Sequence, residues 1–298
     1  MVVGRTIAGY TVRRRRALQI SRICGALLLC VFVTAPWTGL PRASFDVALR
    51  AFLSGATDAL VMGPTQISTP DGSYLDTVAQ LYLEPLGFTG QTIALTTPET
   101  FDYGPSVAQG VTDLVNAVTS RFDAGDFGPT DPLVVFGYSQ SAVVASLAMQ
   151  QLSDKGIPSD DLRFVLIGDT TSAHGGILNT FIDSLPVQDQ DSTIQFLDSI
   201  GLSDLIGVST PNDLYPADIY TIHGDAWADW PSTIGTSLWA DEANVLYGLL
   251  LHEVYLGLTP EEIASATSSI DGLTDYFTIA QPQDALEALL SAVQNALG

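Results

Sequence analysis

A serine hydroxyl becomes a nucleophile only when a base can take its proton and an acid can hold that base in place. One pentapeptide of this chain presents a serine for that purpose. Gly137-Tyr138-Ser139-Gln140-Ser141 spells G-x-S-x-S, one letter away from the G-x-S-x-G of a nucleophile elbow, where a strand turns sharply into a helix and carries the serine at its tip. The small flanking residues have a steric role, because a large side chain at 137 or 141 would strike neighbouring backbone, and Ser141 is small enough. In such a turn the amide of Gln140, at the helix start, faces the place where an oxyanion forms. Without that context Ser139 is an ordinary helix N-cap.

The base comes from a short inventory, since His174, His223 and His252 are the three histidines. A nucleophile elbow implies the chain order serine, acid, histidine. His252 alone leaves room for an acid on a strand end between itself and Ser139. Asp225 fits that position, with Asp229 in reserve. His223 sits on the same strand end as the acid and reads as a pocket-edge or structural residue, and His174 is a candidate for lining the site. The competing role for His252 is a helix-end residue answering the C-terminal dipole.

The elements needed to position these residues can be read from apolar patterning. Leu133 to Phe136 is a β-rich run suited to a strand buried on both faces, and residues 142 to 152 are apolar nearly all round, as in a covered helix. Before them, Ala59 to Met62 predicts a first strand, followed by the turn Gly63-Pro64-Thr65-Gln66. There Thr65 is the expected second oxyanion donor, because Pro64 has no N–H. Asp71 to Leu83 and Gly104 to Phe122 have helical spacing, with a strand at Gln91 to Thr96 between them. After the elbow come strands at Arg163 to Ile167 and Ala217 to Ile222, a helix over Leu238 to Leu256, a last strand at Tyr276 to Ala280 and a tail helix over Ala285 to Leu297. Alternation of this kind predicts an α/β fold with a mainly parallel central sheet and helices on both faces. Residues 170 to about 215 break the rhythm and are expected to form a small helical cap whose apolar side chains, Phe181 among them, shelter an acyl chain. Tyr138, His174, Phe181 and Trp227 are the expected substrate contacts.

Composition narrows the chemistry. The chain has 298 residues and a formal charge of −22, and seven of its 11 basic residues precede Asp46, the first acid. So acidic a domain repels phosphate backbones, which excludes nucleic acid as a partner. Both cysteines, Cys24 and Cys30, lie in the N-terminal apolar stretch. No metal-ligand motif, P-loop or dinucleotide fingerprint is present, so no cofactor is expected. Residues 1–43 read as an export segment, with Arg13 to Arg16 and Arg22 flanking the uncharged run Ile23 to Ala35. With its apolar stretch extended to Leu40 it is near the length of a membrane span; Val33-Thr34-Ala35 resembles a cleavage site, but Pro36 directly after it disfavours cutting, so a retained anchor is expected, with a cleaved signal as the alternative and residues 44–298 outside the cytoplasm.

Several ordered motifs together resemble the PE-PPE domain of mycobacteria, a cutinase-like serine α/β-hydrolase family. They are Val61-Met62-Gly63, the pentapeptide at 137 to 141, Gly168-Asp169 followed by Gly175-Gly176-Ile177-Leu178, Asp225-Ala226-Trp227-Ala228-Asp229-Trp230-Pro231, and His252 with Tyr255. The resemblance spans roughly residues 58 to 280. It implies Ser139 as nucleophile, Asp225 as acid, His252 as base, and acyl-ester chemistry in the cell envelope. Some anchored relatives resemble acyltransferases that move acyl groups between trehalose lipids, so transfer to an alcohol is one alternative to hydrolysis. A surface protein that binds lipid or a partner without catalysis is another. Two departures stand out: Gly63-Pro64-Thr65-Gln66 replaces the family's Gly-Gly-Thr-Gly, and Glu253 replaces the glycine that usually follows the histidine.

Overall fold

The computed structural model describes residues 53, 55–56, 58–184, 190–191, 194–195, 198, 203–230 and 242–297. The expected anchor at 1–43 and most of the central part of the expected cap lie outside the described residues. Among the described residues no helix is long and apolar enough to cross a membrane.

Strand and helix alternate as patterning predicts. The order begins β1 (Asp58–Val61), α1 (Gly72–Val78), β2 (Gln91–Ala94), α2 (Tyr103–Ala124), β3 (Leu133–Tyr138), α3 (Gln140–Asp154), β4 (Leu162–Ile167) and α4 (Ile177–Ser184). It continues with β5 (Ala217–Ile222), α5 (Glu242–His252), α6 (Pro260–Ala264), β6 (Thr267–Asp271), β7 (Thr274–Ile279) and α7 (Ala285–Leu297). The seven strands form one sheet in the order β2-β1-β3-β4-β5-β7-β6, parallel except for β6 against β7.

β3 lies at the inner part of this sheet, paired with β1 on one side and β4 on the other, and all six of its residues are buried. Its side chains alternate between two cores. Val134 and Phe136 join Val165, Ile167 and Ile222 under α1, α5 and α7, while Leu133 and Val135 join Phe164, Leu166 and Ile219 under α2 and α3. A strand with no wet face reads as a continuous apolar run, which explains the spelling Leu-Val-Val-Phe. With both faces covered, the carboxyl ends of β1, β3, β4 and β5 share one edge, where ligands bind in open α/β sheets.

Two elements depart from expectation. The last strand is the second arm of a hairpin, whose first arm β6 is exposed along its whole length. The helix expected over 238 to 256 stops at His252 and gives way to a 3₁₀ turn at Tyr255–Gly257, with residues 231–241 outside the described set.

Candidate active site

The turn between β3 and α3 is as tight as its spelling suggests. Ser139 adopts φ 56° and ψ −115°, a sparsely populated conformation for any residue with a side chain. A Cβ on Gly137 would lie 2.6 Å from the Ser141 carbonyl oxygen and 2.9 Å from Ala142 N, so only glycine fits there. Ser141 contributes something the usual glycine lacks: its Oγ accepts from Tyr138 N at 2.9 Å and donates to the Tyr138 carbonyl at 3.1 Å, clamping the turn.

The structure brings Ser139, His252 and Asp225 together. His252, the last residue of α5, is buried, and its Nε2 lies 2.8 Å from Ser139 Oγ. On the other side of the ring, Nδ1 lies 2.9 Å from Asp225 Oδ2 and 3.1 Å from Oδ1. Asp225, in the turn after β5, is fully buried, and donors surround its carboxylate. Trp227 N and Ala228 N donate to Oδ1 at 2.8 and 3.2 Å, and the Tyr255 hydroxyl donates to Oδ2 at 2.7 Å. Such a shell suits a carboxylate anion, the form that steadies an imidazolium. Asp229, the reserve acid, turns instead to His223 Nδ1 at 3.0 Å and Gly224 N at 2.7 Å.

Burial pulls the His252 pKa down, but the Asp225 charge, its hydrogen bond and the nearby Glu253 charge outweigh this, so the imidazole holds its proton more tightly than usual. Its backbone is fixed as well. The Tyr138 hydroxyl donates to the His252 carbonyl, and the Tyr82 hydroxyl donates to the Tyr255 carbonyl at 2.8 Å. Gly168, at φ +56°, leaves room for this packing, since a Cβ there would lie 3.1 Å from both His252 Cε1 and Tyr255 Cε2.

At the expected oxyanion side, Gln140 begins α3 and its N–H has no carbonyl of its own helix to bond. Its side chain is tied down on three sides: Oε1 accepts from Ser106 Oγ at 2.7 Å, and Nε2 donates to the Thr100 carbonyl at 2.9 Å and Thr65 Oγ1 at 3.4 Å. The same contact brings Thr65 beside Gln140, where Thr65 Oγ1 also lies 3.1 Å from the Tyr103 hydroxyl. Gln66 takes a left-handed φ of 76°, a conformation that favours glycine. Its N–H donates to the Glu99 carbonyl at 2.6 Å.

Of the expected substrate contacts, half-buried Trp227 stands at the site, with its ring 6.1 Å from that of His252. Phe181 lies in α4, its side chain outside the described set. Tyr138 is corrected. It is buried beneath the site, packed 5.5 Å from the Tyr255 ring with its hydroxyl committed to His252, because the β3 alternation turns it into the core. His174 is corrected too. The loop after β4 carries it over the sheet to stack on Tyr276 at 3.8 Å, with Nε2 3.8 Å from Asp271 Oδ2. Asp271 pairs with Thr274 at the amino end of β7, the opposite edge from Ser139. Sequence reasoning named Tyr255 only as part of the resemblance, with no role, and missed Ser106 and Glu99 as supports. Tyr255 alone had a signal, three residues past the histidine, with its hydroxyl accepting from Ile222 N at 2.9 Å.

Comparisons with known proteins bear on the family of the chain. The chain is 34% identical over 246 residues to Esterase PE16 of Mycobacterium tuberculosis, a match covering 76% of this chain and 42% of that protein. It is 32% identical over 262 residues to the uncharacterized PPE family protein PPE28 of the same organism, covering 81% and 36%. The matches thus span less than half the length of these relatives. Among solved structures, a cutinase-like protein from Cryptococcus sp. aligns over 67% of this chain and 92% of its own at 18% identity and TM-score 0.39. The PE-PPE domain model matches residues 64–293, a span that takes in Ser139, Asp225, His252 and the Thr65 turn, and the chain belongs to the PE-PPE domain family.

Proposed function

We propose that this chain is a serine ester hydrolase acting on lipid acyl esters through an acyl-serine intermediate. The observation that carries the reading is the unbroken hydrogen-bonded run from Ser139 Oγ through the His252 ring to a donor-surrounded Asp225. The relative named Esterase PE16 supports the reaction class.

As Ser139 Oγ attacks the ester carbonyl carbon, His252 Nε2 takes its proton and Asp225 stabilises the imidazolium. The carbonyl oxygen becomes an oxyanion held by the N–H groups of Gln140 and Thr65. Collapse breaks the ester C–O bond, and His252 returns the proton to the departing alcohol. Water then repeats the sequence on the acyl-serine, regenerating the hydroxyl. Half-buried Trp227 and Phe101, 51% exposed next to Thr100, offer apolar surface to an acyl chain. We infer an envelope location from the basic flank Arg13 to Arg16 and the apolar run Ile23 to Ala35, with retention of the chain in washed membranes as its test.

The experiment is labelling with a fluorophosphonate probe, followed by incubation with extracted envelope lipids and mass analysis of the products. The expected result is labelling and free fatty acid from the wild type and neither from Ser139→Ala. An unlabelled wild type refutes the nucleophile. Acyl groups appearing on a sugar hydroxyl in preference to water assign acyl transfer instead of hydrolysis.

A further inference from the structure

Behind the turn expected to hold the oxyanion lies a buried acid that the mechanism does not use. Glu99 is 1% exposed and left-handed at φ 45°. Its Oε1 accepts from Thr97 Oγ1 at 2.8 Å, while Oε2 is buried with no partner among the described residues. The titratable groups facing it are Tyr74 from α1 and Tyr103 from the start of α2, both phenols kept neutral by burial. Tyr103 also feels Glu253 from the end of α5. Among the described residues no cation pairs with Glu99, and a buried carboxylate with one hydroxyl donor is costly.

The loop that carries Glu99 also supports both expected oxyanion donors. The Glu99 carbonyl accepts from Gln66 N, next to Thr65, and the adjacent Thr100 carbonyl accepts from Gln140 Nε2 at 2.9 Å. Thr100 N in turn donates to Ser106 Oγ at 2.9 Å, the hydroxyl that holds Gln140 Oε1. If Glu99 ionises, it must draw in water or new donors, and the loop that moves to supply them is the one on which Thr65 and Gln140 rest.

We propose that Glu99 is a positioning residue that works as a neutral acid, and that its ionisation loosens the oxyanion turn and so sets the alkaline limit of activity. The proposal rests on the esterase reading. Burial raises the Glu99 carboxyl to about 7, which puts this limit close to neutrality. His252 sets the acid limit independently.

The test is the pH dependence of kcat and KM on a soluble p-nitrophenyl ester, read alongside thermal unfolding. Wild-type kcat should fall about tenfold or more between pH 7 and 9 with KM steady. Glu99→Gln mimics the neutral acid, so it should keep near wild-type kcat at pH 6.5 and lose less than about twofold by pH 9. Thr97→Val removes the one donor that favours the charged form and should move the alkaline limb to higher pH. An active wild type whose alkaline limb survives in folded Glu99→Gln overturns this proposal alone. If Glu99→Gln does not fold, an unmoved limb in Thr97→Val overturns it. A wild type that neither hydrolyses esters nor takes the fluorophosphonate overturns the esterase reading along with it.

Discussion

The strain at Ser139 can be measured by comparing two variants that both lack its hydroxyl. Ser139→Ala and Ser139→Gly each lose the 2.8 Å contact with His252 Nε2, so that loss cancels between them. What differs is the backbone. At φ 56° and ψ −115° a residue with a Cβ stores on the order of 1–3 kcal/mol, and glycine stores almost none. Glycine's greater freedom in the unfolded chain and its missing methyl give back about 1 kcal/mol. The net expectation is that Ser139→Gly is more stable than Ser139→Ala by about 1 kcal/mol, or about 2–4 °C in Tm for a domain of this size. Differential scanning calorimetry of the two proteins in one buffer reads this directly, and both should be inactive. Equal melting temperatures, or a lower one for glycine, would refute the argument that the elbow holds its serine under strain.

Three further outcomes follow from the site. Tyr255→Phe removes a donor from Asp225 and leaves Ile222 N–H buried without its acceptor. It should cost about 3 kcal/mol by chemical denaturation and lower kcat about tenfold or more. Asp225→Asn should reduce kcat about a thousandfold or more. The residual activity should have its acid limb at lower pH than wild type, because the neighbour that most raises His252 is gone; a limb left in place would mean that another group titrates. The raised Glu99 pKa also makes a stability prediction: the folded state holds this proton more tightly than the unfolded chain, whose ordinary value is 4.5. That contribution is complete below pH 4.5 and is lost as pH climbs through about 7, a change of about 3 kcal/mol. Melting temperatures at pH 5 and 8 should therefore diverge in the wild type more than in Glu99→Gln.

Much of this architecture was legible because it is buried on both faces. β3 and, after Arg163, β4 spell apolar runs, β5 keeps Ala217, Ile219, Tyr220 and Ile222 around two polar residues, and the elbow and the serine, acid, histidine order follow from chain logic. What escaped notice has a common cause. β6 reads Thr-Ser-Ser-Ile-Asp, and with every residue exposed it has no apolar alternation to betray it. Its one signal was Asp271-Gly272, a hairpin dipeptide. Likewise α6 announces itself only through the capping box of Thr259 and Glu262. Glu99 sits in a stretch of Thr, Pro and Glu that reads as a wet loop, and only the tertiary structure buries it. His174 went astray because a loop's path after a strand is set by what it packs on, here Tyr276.

Ser141, which departs from the usual elbow spelling, and Gln66 and Glu253, which depart from the spelling the resemblance leads one to expect, make physical sense as substitutions whose costs are met by neighbouring groups. Glycine at the end of the pentapeptide would leave the turn free of side-chain bonds, whereas Ser141 fits the same space and adds two to Tyr138. Gln66 stands where glycine is usual and keeps a glycine-like φ, held there by its N–H bond to Glu99. Glu253 follows the histidine in place of a flexible glycine, and His252 accordingly ends a helix, its carbonyl caught by the Tyr138 hydroxyl and the next turn caught by Tyr82. In the last two cases the bond that compensates comes from a residue distant in sequence. A motif search that scores small residues alone therefore underrates this site, because the geometry those residues usually permit is here imposed by hydrogen bonds.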